Sequence, residues 1–306
     1  MTKIGAHEIE FERTDKTFFP DAGITKGDLI DYYLDIAEAM LPHLRGRPLA
    51  LERFPDGIEE EGFFQQDCPD YFPDWIDTVK AARRDTSHKQ SPVRHVVCTS
   101  KACLAYLANQ GAVTLHGWLS RAPELDNPDK LIFDLDPPDG DFDAVINAAR
   151  HVSDLMRELE LNPYLMTTGS KGLHVIAPLN READFDAVRE VATAMSEHLA
   201  TRYPEDLTTE QRKAKRKGRV YLDVMRNAYG QTTVVPYTVR AKPGAPVATP
   251  LSWDELDLGG LSSQSYTIEN IGRRLGQIDD PWHGILREGR DIAAVGDRLE
   301  RLREED

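Results

Sequence analysis

Residues 131–138 read LIFDLDPP. The run is apolar apart from Asp134 and Asp136, which stand one residue apart. In an extended strand, residues i and i+2 project from the same face. Both carboxylates then point together, while Phe133 and Leu135 turn into a core. Neighbouring like charges repel and lose hydration when half-buried. The pattern calls for a compensating partner, and a hard divalent cation such as Mg²⁺ or Mn²⁺ is the usual one for paired carboxylates. Pro137 and Pro138 end the strand at once, so the pair lies at its mouth. D-x-D also occurs in phosphatases with an aspartate nucleophile, in glycosyltransferases and in plain turns, and this stretch alone leaves those readings open.

Working outward, 306 residues allow one large domain or two small ones with a real core. No apolar run approaches the ~18 residues of a membrane span, and the N-terminal stretch MTKIGAHEIEFERTDK carries no hydrophobic leader pattern. A cytoplasmic protein without membrane contact is expected. Cys68, Cys98 and Cys103 are too few and too unevenly spaced for a disulfide framework or a zinc knuckle. The net charge of −15 argues, taken alone, against a polyanionic partner. Residues 212–219, RKAKRKGR, depart from that average as a local basic stripe.

A helix is expected over 25–45, capped by Thr25 with Asp28 completing a capping box and with Pro42 ending or kinking its last turn. DFDAV occurs at 141 and again at 184, with Asp143 and Asp186 or their neighbours expected to cap two amphipathic helices, roughly 143–160 and 186–202. Strand patterns cover 131–135, 163–167 and 173–179. RVYLDVMRN (219–227) and TTVVPYTVRA (232–241) add strands with no helix between them. The mix indicates an α+β fold with a largely antiparallel central sheet. No Ser/Gly linker divides the chain, so one domain over 1–306 is expected, with a charged helical segment from about 265.

Two further stretches bear on chemistry. TTGSKGLHVIAPL (167–179) places Ser170 and Lys171 between Gly169 and Gly172 ahead of a strand; a hydroxyl, an ammonium and loop N–H groups suit phosphate. Its spacing is not that of a Walker A loop. In RVYLDVMRN, Asp223 interrupts an apolar strand and is followed by Arg226. A third carboxylate beside the first two would complete a two-metal centre. Arg240 supplies another phosphate-binding guanidinium.

Taken together and in order, ITKGDLIDYY, RFPDGIEEEGFFQ, LHGW, FDLDPP, GSKGLHV, YLDVMRN and VPYTVRAKPGAPVATPLSWDEL resemble the polymerase domain of bacterial DNA ligase D, the non-homologous end-joining polymerase of the archaeo-eukaryotic primase superfamily. The resemblance runs over roughly residues 12–283. It implies the primase-polymerase fold, with a catalytic cleft and flanking helices. It implies Asp134, Asp136 and Asp223 as catalytic ligands of two Mn²⁺ or Mg²⁺ ions. Nucleotide contacts fall on Arg53, His116, Thr168, Ser170, Lys171, His174, Arg226 and Arg240. Lys16 and Lys26 match residues that grip the 5′-phosphate across a gap, and Phe63 and Phe64 match aromatics that stack on DNA bases.

The implied activity is template-dependent addition of NTPs or dNTPs, with a family leaning to NTPs, at short gaps or break ends of double-stranded DNA. The implied partners are a Ku-type end-binding protein and a DNA ligase. The chain departs from the family pattern after FFQ, where Gln66 and Asp67 stand in place of a common lysine. Two alternatives are weighed against this reading. One is a non-catalytic DNA-end bridging module of the same fold. The other is a metal-dependent phosphatase with Asp134 as nucleophile, which leaves FFQ, LHGW and YLDVMRN unexplained.

Overall fold

The two DFDAV stretches fold alike. The first aspartate of each caps its helix, with Asp141 Oδ1 accepting from Ala144 N at 3.1 Å and Asp184 Oδ1 accepting from Ala187 N at 2.9 Å. The capped helices are Phe142–Glu158 and Phe185–Arg202. A short polar side chain that satisfies an N–H in the first helical turn stabilises such a start by ~1 kcal/mol. The computed structural model describes residues 1–83, 92–138 and 140–305. Among these the fold is mixed α/β, with seven α-helices and sheets that are antiparallel almost throughout.

The chain divides into two compact units. The first comprises Met1–Pro123, Thr232–Thr249 and Gln264–Asp280; the second comprises Glu124–Gln231, Pro250–Ser263 and Pro281–Asp306.

In the second unit a six-stranded sheet runs in the order Leu207–Thr208, Val220–Asp223, Lys130–Asp136, Leu173–Pro178, Tyr164–Thr167, Pro250–Leu251. Every pairing is antiparallel except that of Leu207–Thr208 with Val220–Asp223. The helix Phe142–Glu158 packs against Lys130–Asp136 and Leu173–Pro178. Leu131, Phe133 and Leu135 are fully buried, as are Val145, Ala149 and Val152 of that helix. The strand Val220–Asp223 is too short to flank the whole of Lys130–Asp136. Beyond its end the side chain of Asn227 takes over: its Oδ1 accepts from Ile132 N at 2.9 Å and its Nδ2 donates to Ile132 O at 2.8 Å. A buried amide thereby completes the backbone pairing of the strand that carries Asp134 and Asp136.

In the first unit a second sheet runs Thr232–Val234, Ala112–Trp118, Pro48–Arg53, Val93–Val97, Thr78–Ala81, all antiparallel. Phe63–Gln65 pairs with Pro48–Arg53. Buried tyrosine hydroxyls tie distant segments together: Tyr33 donates to Val113 O at 2.7 Å and accepts from Val239 N at 3.2 Å, and Tyr32 donates to Tyr237 O at 2.7 Å. The three cysteines are free and buried.

Three details differ from the sequence pattern. The helix expected over 25–45 is two helices, Lys26–Asp35 and Ala37–Leu44. Thr25 and Asp28 form the capping box, the break falls at Ile36, and Pro42 sits inside the second helix at the expense of one hydrogen bond. The strand expected through TTVVPYTVRA stops at Val234, because Pro236 cannot donate to a ladder and Tyr237 turns the chain at φ +66°. After residue 265 the regular helices are Ile271–Leu275 and Ile292–Glu305, with turns between them.

Asn227→Ala should destabilise the protein by about 2 kcal/mol, because the buried N–H and C=O of Ile132 lose their partners. Urea unfolding reads this directly, and an unchanged midpoint would contradict the bridging role.

Candidate active site

The strand register assembles the carboxylates. Asp134 is directly opposite Asp223 in the pairing with Val220–Asp223 and directly opposite His174 in the pairing with Leu173–Pro178. Residues opposite one another across strands share a face, and Asp136 shares it as residue i+2. Asp134, Asp136, Asp223 and His174 therefore project from one side of one sheet. His174 Nε2 lies 3.4 Å from Asp134 Oδ1 and is buried. Asp223 Oδ1 accepts from Met225 N at 2.8 Å.

The electrostatics of the group follow from its crowding. Desolvation raises the pKa of Asp136; the Asp134 charge adds to this, while His174 and Lys171 oppose it. Desolvation likewise raises Asp223; the Met225 N–H and the charges of Arg226 and Arg216 oppose it, and Asp134 reinforces it. Asp136 and Asp223 are thus held above the usual carboxylate range chiefly by burial, against the positive charge of His174, Lys171, Arg226 and Arg216. Among the described residues no three His, Cys, Asp or Glu side chains stand gathered as a ready metal cage. The donor set itself fits a hard divalent cation: three carboxylates on one face, mutually repelling and held by adjacent strands.

The 168–172 loop borders the carboxylates and is held from within. Thr168 is buried, and its Oγ1 accepts from Ser170 N at 3.3 Å and from Gly172 N at 3.2 Å. Ser263 Oγ accepts from Ser170 N at 3.2 Å and donates to Gly172 O at 2.9 Å. These two loop N–H groups therefore point inward, and Thr168 acts as the loop's internal brace. Lys171 is exposed and close enough to stabilise ionised Asp136. Gly172 has no room for a side chain: a Cβ would lie 1.8 Å from Leu135 O and 3.0 Å from Asp136 Oδ1. That close approach seats the loop against the end of the carboxylate strand.

The basic run leads directly into the strand of Asp223. Lys213, Lys215 and Lys217 are exposed. Arg216 and Arg219 instead anchor the run: Arg216 donates to Glu210 O at 3.1 Å and to Gln211 O at 2.8 Å, and its guanidinium sits 4.4 Å from the Tyr221 ring centre. Arg219 donates to Pro204 O at 3.2 Å.

The remaining sequence candidates lie in the first unit. His116 Nε2 is 3.5 Å from Glu52 Oε2, and the Phe64 ring is 5.2 Å from the His116 ring. Burial would raise Glu52, but its hydrogen bond with His116, the charges of His116 and Arg240 and a bond from Thr114 leave it below the usual carboxylate range. Lys26 and Arg53 line a separate cavity of about 360 Å³, together with Arg13, Trp75 and Asn109. Lys26 is buried, and its Nζ donates to Glu12 O at 2.7 Å. Desolvation lowers its pKa, and the positive charges of Arg13 and Lys16 lower it further against Glu12. Arg13, Lys26 and Arg53 line the cavity together with Glu8, Glu10 and Glu12. Lys16 stands beside the cavity, tied to Pro55 O at 3.3 Å and to the Asp56 carboxylate. Arg53, expected among the nucleotide contacts, instead shares the cavity with Lys26, and its guanidinium is held by Gln65, Tyr71 and Gln110.

The strand carboxylates Asp134, Asp136 and Asp223 thus share one sheet face, with the basic run 212–219 leading into the strand of Asp223. Residues 25–282 match the profile of the LigD primase-polymerase domain, and the chain belongs to that family. Its relatives include the multifunctional non-homologous end joining protein LigD of Mycolicibacterium smegmatis, 32% identical over 81% of this chain and 32% of the relative. The LigD protein of Mycobacterium bovis is 31% identical over 99% of this chain and 40% of the relative. The chain thus spans well under half the length of these relatives. Among solved structures, the polymerase domain of Mycobacterium tuberculosis ligase D, in complex with DNA, superposes with a TM-score of 0.85 at 28% identity, covering 92% of this chain and 99% of that one. The mixed α/β fold expected from the sequence is the fold of that domain.

Several residues of these sites escaped the sequence reading. Arg13, Glu52 and Ser263 become visible only through tertiary contacts, as does the bridging role of Asn227. Of these, Asn227 stood closest to recognition, as a polar residue immediately after an apolar strand.

Gly172→Ala should displace the 168–172 loop and destabilise the protein by ~1–3 kcal/mol, the usual range for forced overpacking. Denaturant titration measures this, and wild-type stability in the variant would contradict the close contact with Leu135.

Proposed function

We propose that this chain catalyses template-dependent addition of nucleotides to a primer 3′-end at short gaps or break ends in DNA, in repair of the non-homologous end-joining kind. The observation that carries this reading is the placement of Asp134, Asp136 and Asp223 on one sheet face, bordered by Lys171 and Arg226. The family and the DNA-bound structural neighbour support it.

In this reading Asp134, Asp136 and Asp223 hold two Mn²⁺ or Mg²⁺ ions. Such ions lower the pKa of an attacking hydroxyl and neutralise charge on a transferring phosphoryl group. The chain's own residues do the rest. His174 fixes the Asp134 carboxylate through their 3.4 Å contact. Lys171 and Arg226, whose charges reach Asp136 and Asp223, draw the triphosphate to the same place. Ser170 belongs to the nucleotide pocket, and Thr168 shapes it by bracing the loop. The resemblance carries His116 and Arg240 over as nucleotide contacts, and it carries a preference for NTPs over dNTPs.

DNA binding rests on local charge against a net charge of −15. The cavity at Lys26, with Lys16 beside it, takes the 5′-phosphate of the downstream strand, and exposed Phe63 and Phe64 stack on bases. Exposed Lys213, Lys215 and Lys217 lie along the duplex, so affinity falls with salt. A Ku-type protein and a DNA ligase are the partners in this reading. It places the chain in the cytoplasm, on the nucleoid when bound to DNA. Among the described residues no helix is long and apolar enough to cross a membrane.

Primer extension on a gapped duplex bearing a 5′-phosphate tests the reading, with Mn²⁺ compared to Mg²⁺ and NTPs to dNTPs. Templated addition is expected with the wild type. Asp134→Ala and Asp223→Ala should each reduce it to background while DNA binding persists. Full activity in either variant would remove the carboxylate assignment, and DNA binding without any addition would point to an end-bridging module. A binding titration checks the phosphate cavity separately. Lys16→Ala combined with Lys26→Ala should cost on the order of tenfold or more in affinity for a 5′-phosphorylated gap and little for a 5′-hydroxyl gap. An unchanged preference would place the phosphate elsewhere.

A further inference from the structure

Tyr71 is 63% exposed, more than Phe63 at 45% and slightly more than Phe64 at 61%. An aromatic side chain this open is ordinarily loose. Tyr71 is held at two points. Its hydroxyl accepts from Arg53 Nη1 at 2.9 Å, and its ring meets Phe72 edge to face at 5.2 Å and 72°. Its tip and one edge are fixed, and most of its surface remains open.

Arg53 links this ring to the phosphate cavity. The guanidinium is buried and lines the cavity beside Lys26 and Arg13. The same group donates to Gln65 Oε1 at 2.5 Å and lies 5.3 Å from the Phe63 ring centre. Phe63 and Tyr71 are therefore ordered around one cation that also faces the anion cavity. A flat, preorganised aromatic surface beside a cluster of positive charge complements a nucleobase joined to a phosphate.

We propose that Tyr71 is a stacking platform for the base of the 5′-terminal nucleotide whose phosphate occupies the Lys26 cavity. This assignment rests on the DNA-end reading above. It adds a specific nucleoside contact to that cavity, distinct from the stacking on Phe63 and Phe64. Arg53 couples the two halves of the site: it neutralises the phosphate on one side and sets the ring on the other.

The test uses a gapped duplex whose 5′-phosphorylated downstream strand begins with the fluorescent base 2-aminopurine. The full chain is titrated, and both affinity and fluorescence quenching are read. Stacking on the wild type should quench the probe. Tyr71→Ala should lose that quenching and bind roughly tenfold more weakly. Tyr71→Phe keeps the ring and should retain most of both. Phe64→Ala should weaken binding while leaving the terminal 2-aminopurine quenched. Thermal melts of each variant confirm folding.

Wild-type quenching and affinity in Tyr71→Ala, alongside a loss in Phe64→Ala, would overturn the Tyr71 assignment and leave the DNA-end reading standing. An equal loss in Tyr71→Phe and Tyr71→Ala would also overturn it, because the hydroxyl's hold on Arg53 would then be the whole effect. No binding of the phosphorylated gap by the wild type would overturn the DNA-end reading and this assignment with it.

Discussion

Asp134 stands where two antiparallel pairings meet, opposite Asp223 on one side and His174 on the other. A register shift of one residue in either pairing would turn a functional side chain to the wrong face. The surrounding structure guards that register. Asn227 extends the pairing of the central strand beyond the reach of Val220–Asp223. Gly172 lets the following loop close on Leu135 at a distance no side chain permits. The DFDAV caps fix where the helix after the carboxylate strand begins. The cost of burying these carboxylates, which with the neighbouring Asp134 charge raises the pKa of Asp136 and Asp223, is carried by this scaffold.

Much of this was legible in the sequence because it depends on local rules. Alternation in LIFDLDPP placed two carboxylates on one face, and the strand observed at Lys130–Asp136 has that geometry. The Thr25 cap follows from short-range hydrogen bonding; at the DFDAV helices the pattern points to Asp143 and Asp186 or their neighbours, and the caps fall two residues earlier, at Asp141 and Asp184. Adjacency of Asp223 to Asp134 could not be read from local pattern. It depends on pairing between strands about 90 residues apart and entered only through the family resemblance. The inward use of the Ser170 N–H and the Gly172 carbonyl was equally hidden, because Ser263, which accepts from the one and donates to the other, is 93 and 91 residues away. Pro42 carries a strong helix-ending signal, yet the break falls at Ile36.

The positive charge of this acidic chain is gathered in particular places. In the second unit that place is the turn at 212–219, where Arg216 and Arg219 are spent on anchoring and the lysines remain exposed. In the first unit it is the cavity where Lys26 is pressed against Arg13 and Lys16, with Arg53 lining the same space. At the Lys26 cavity the charges act at close range and partly out of water, so a total charge of −15 does not weaken it in proportion.

The central claim is that Asp134 and its strand neighbours bind divalent cations. Titrating Mn²⁺ into the protein and following the free-ion electron paramagnetic resonance signal measures this without DNA or turnover. The wild type is predicted to remove the signal saturably, and Asp134→Asn and Asp223→Asn, with folds verified by circular dichroism, should each lose most of that binding. Mn²⁺ binding equal to wild type in both folded variants would contradict the account.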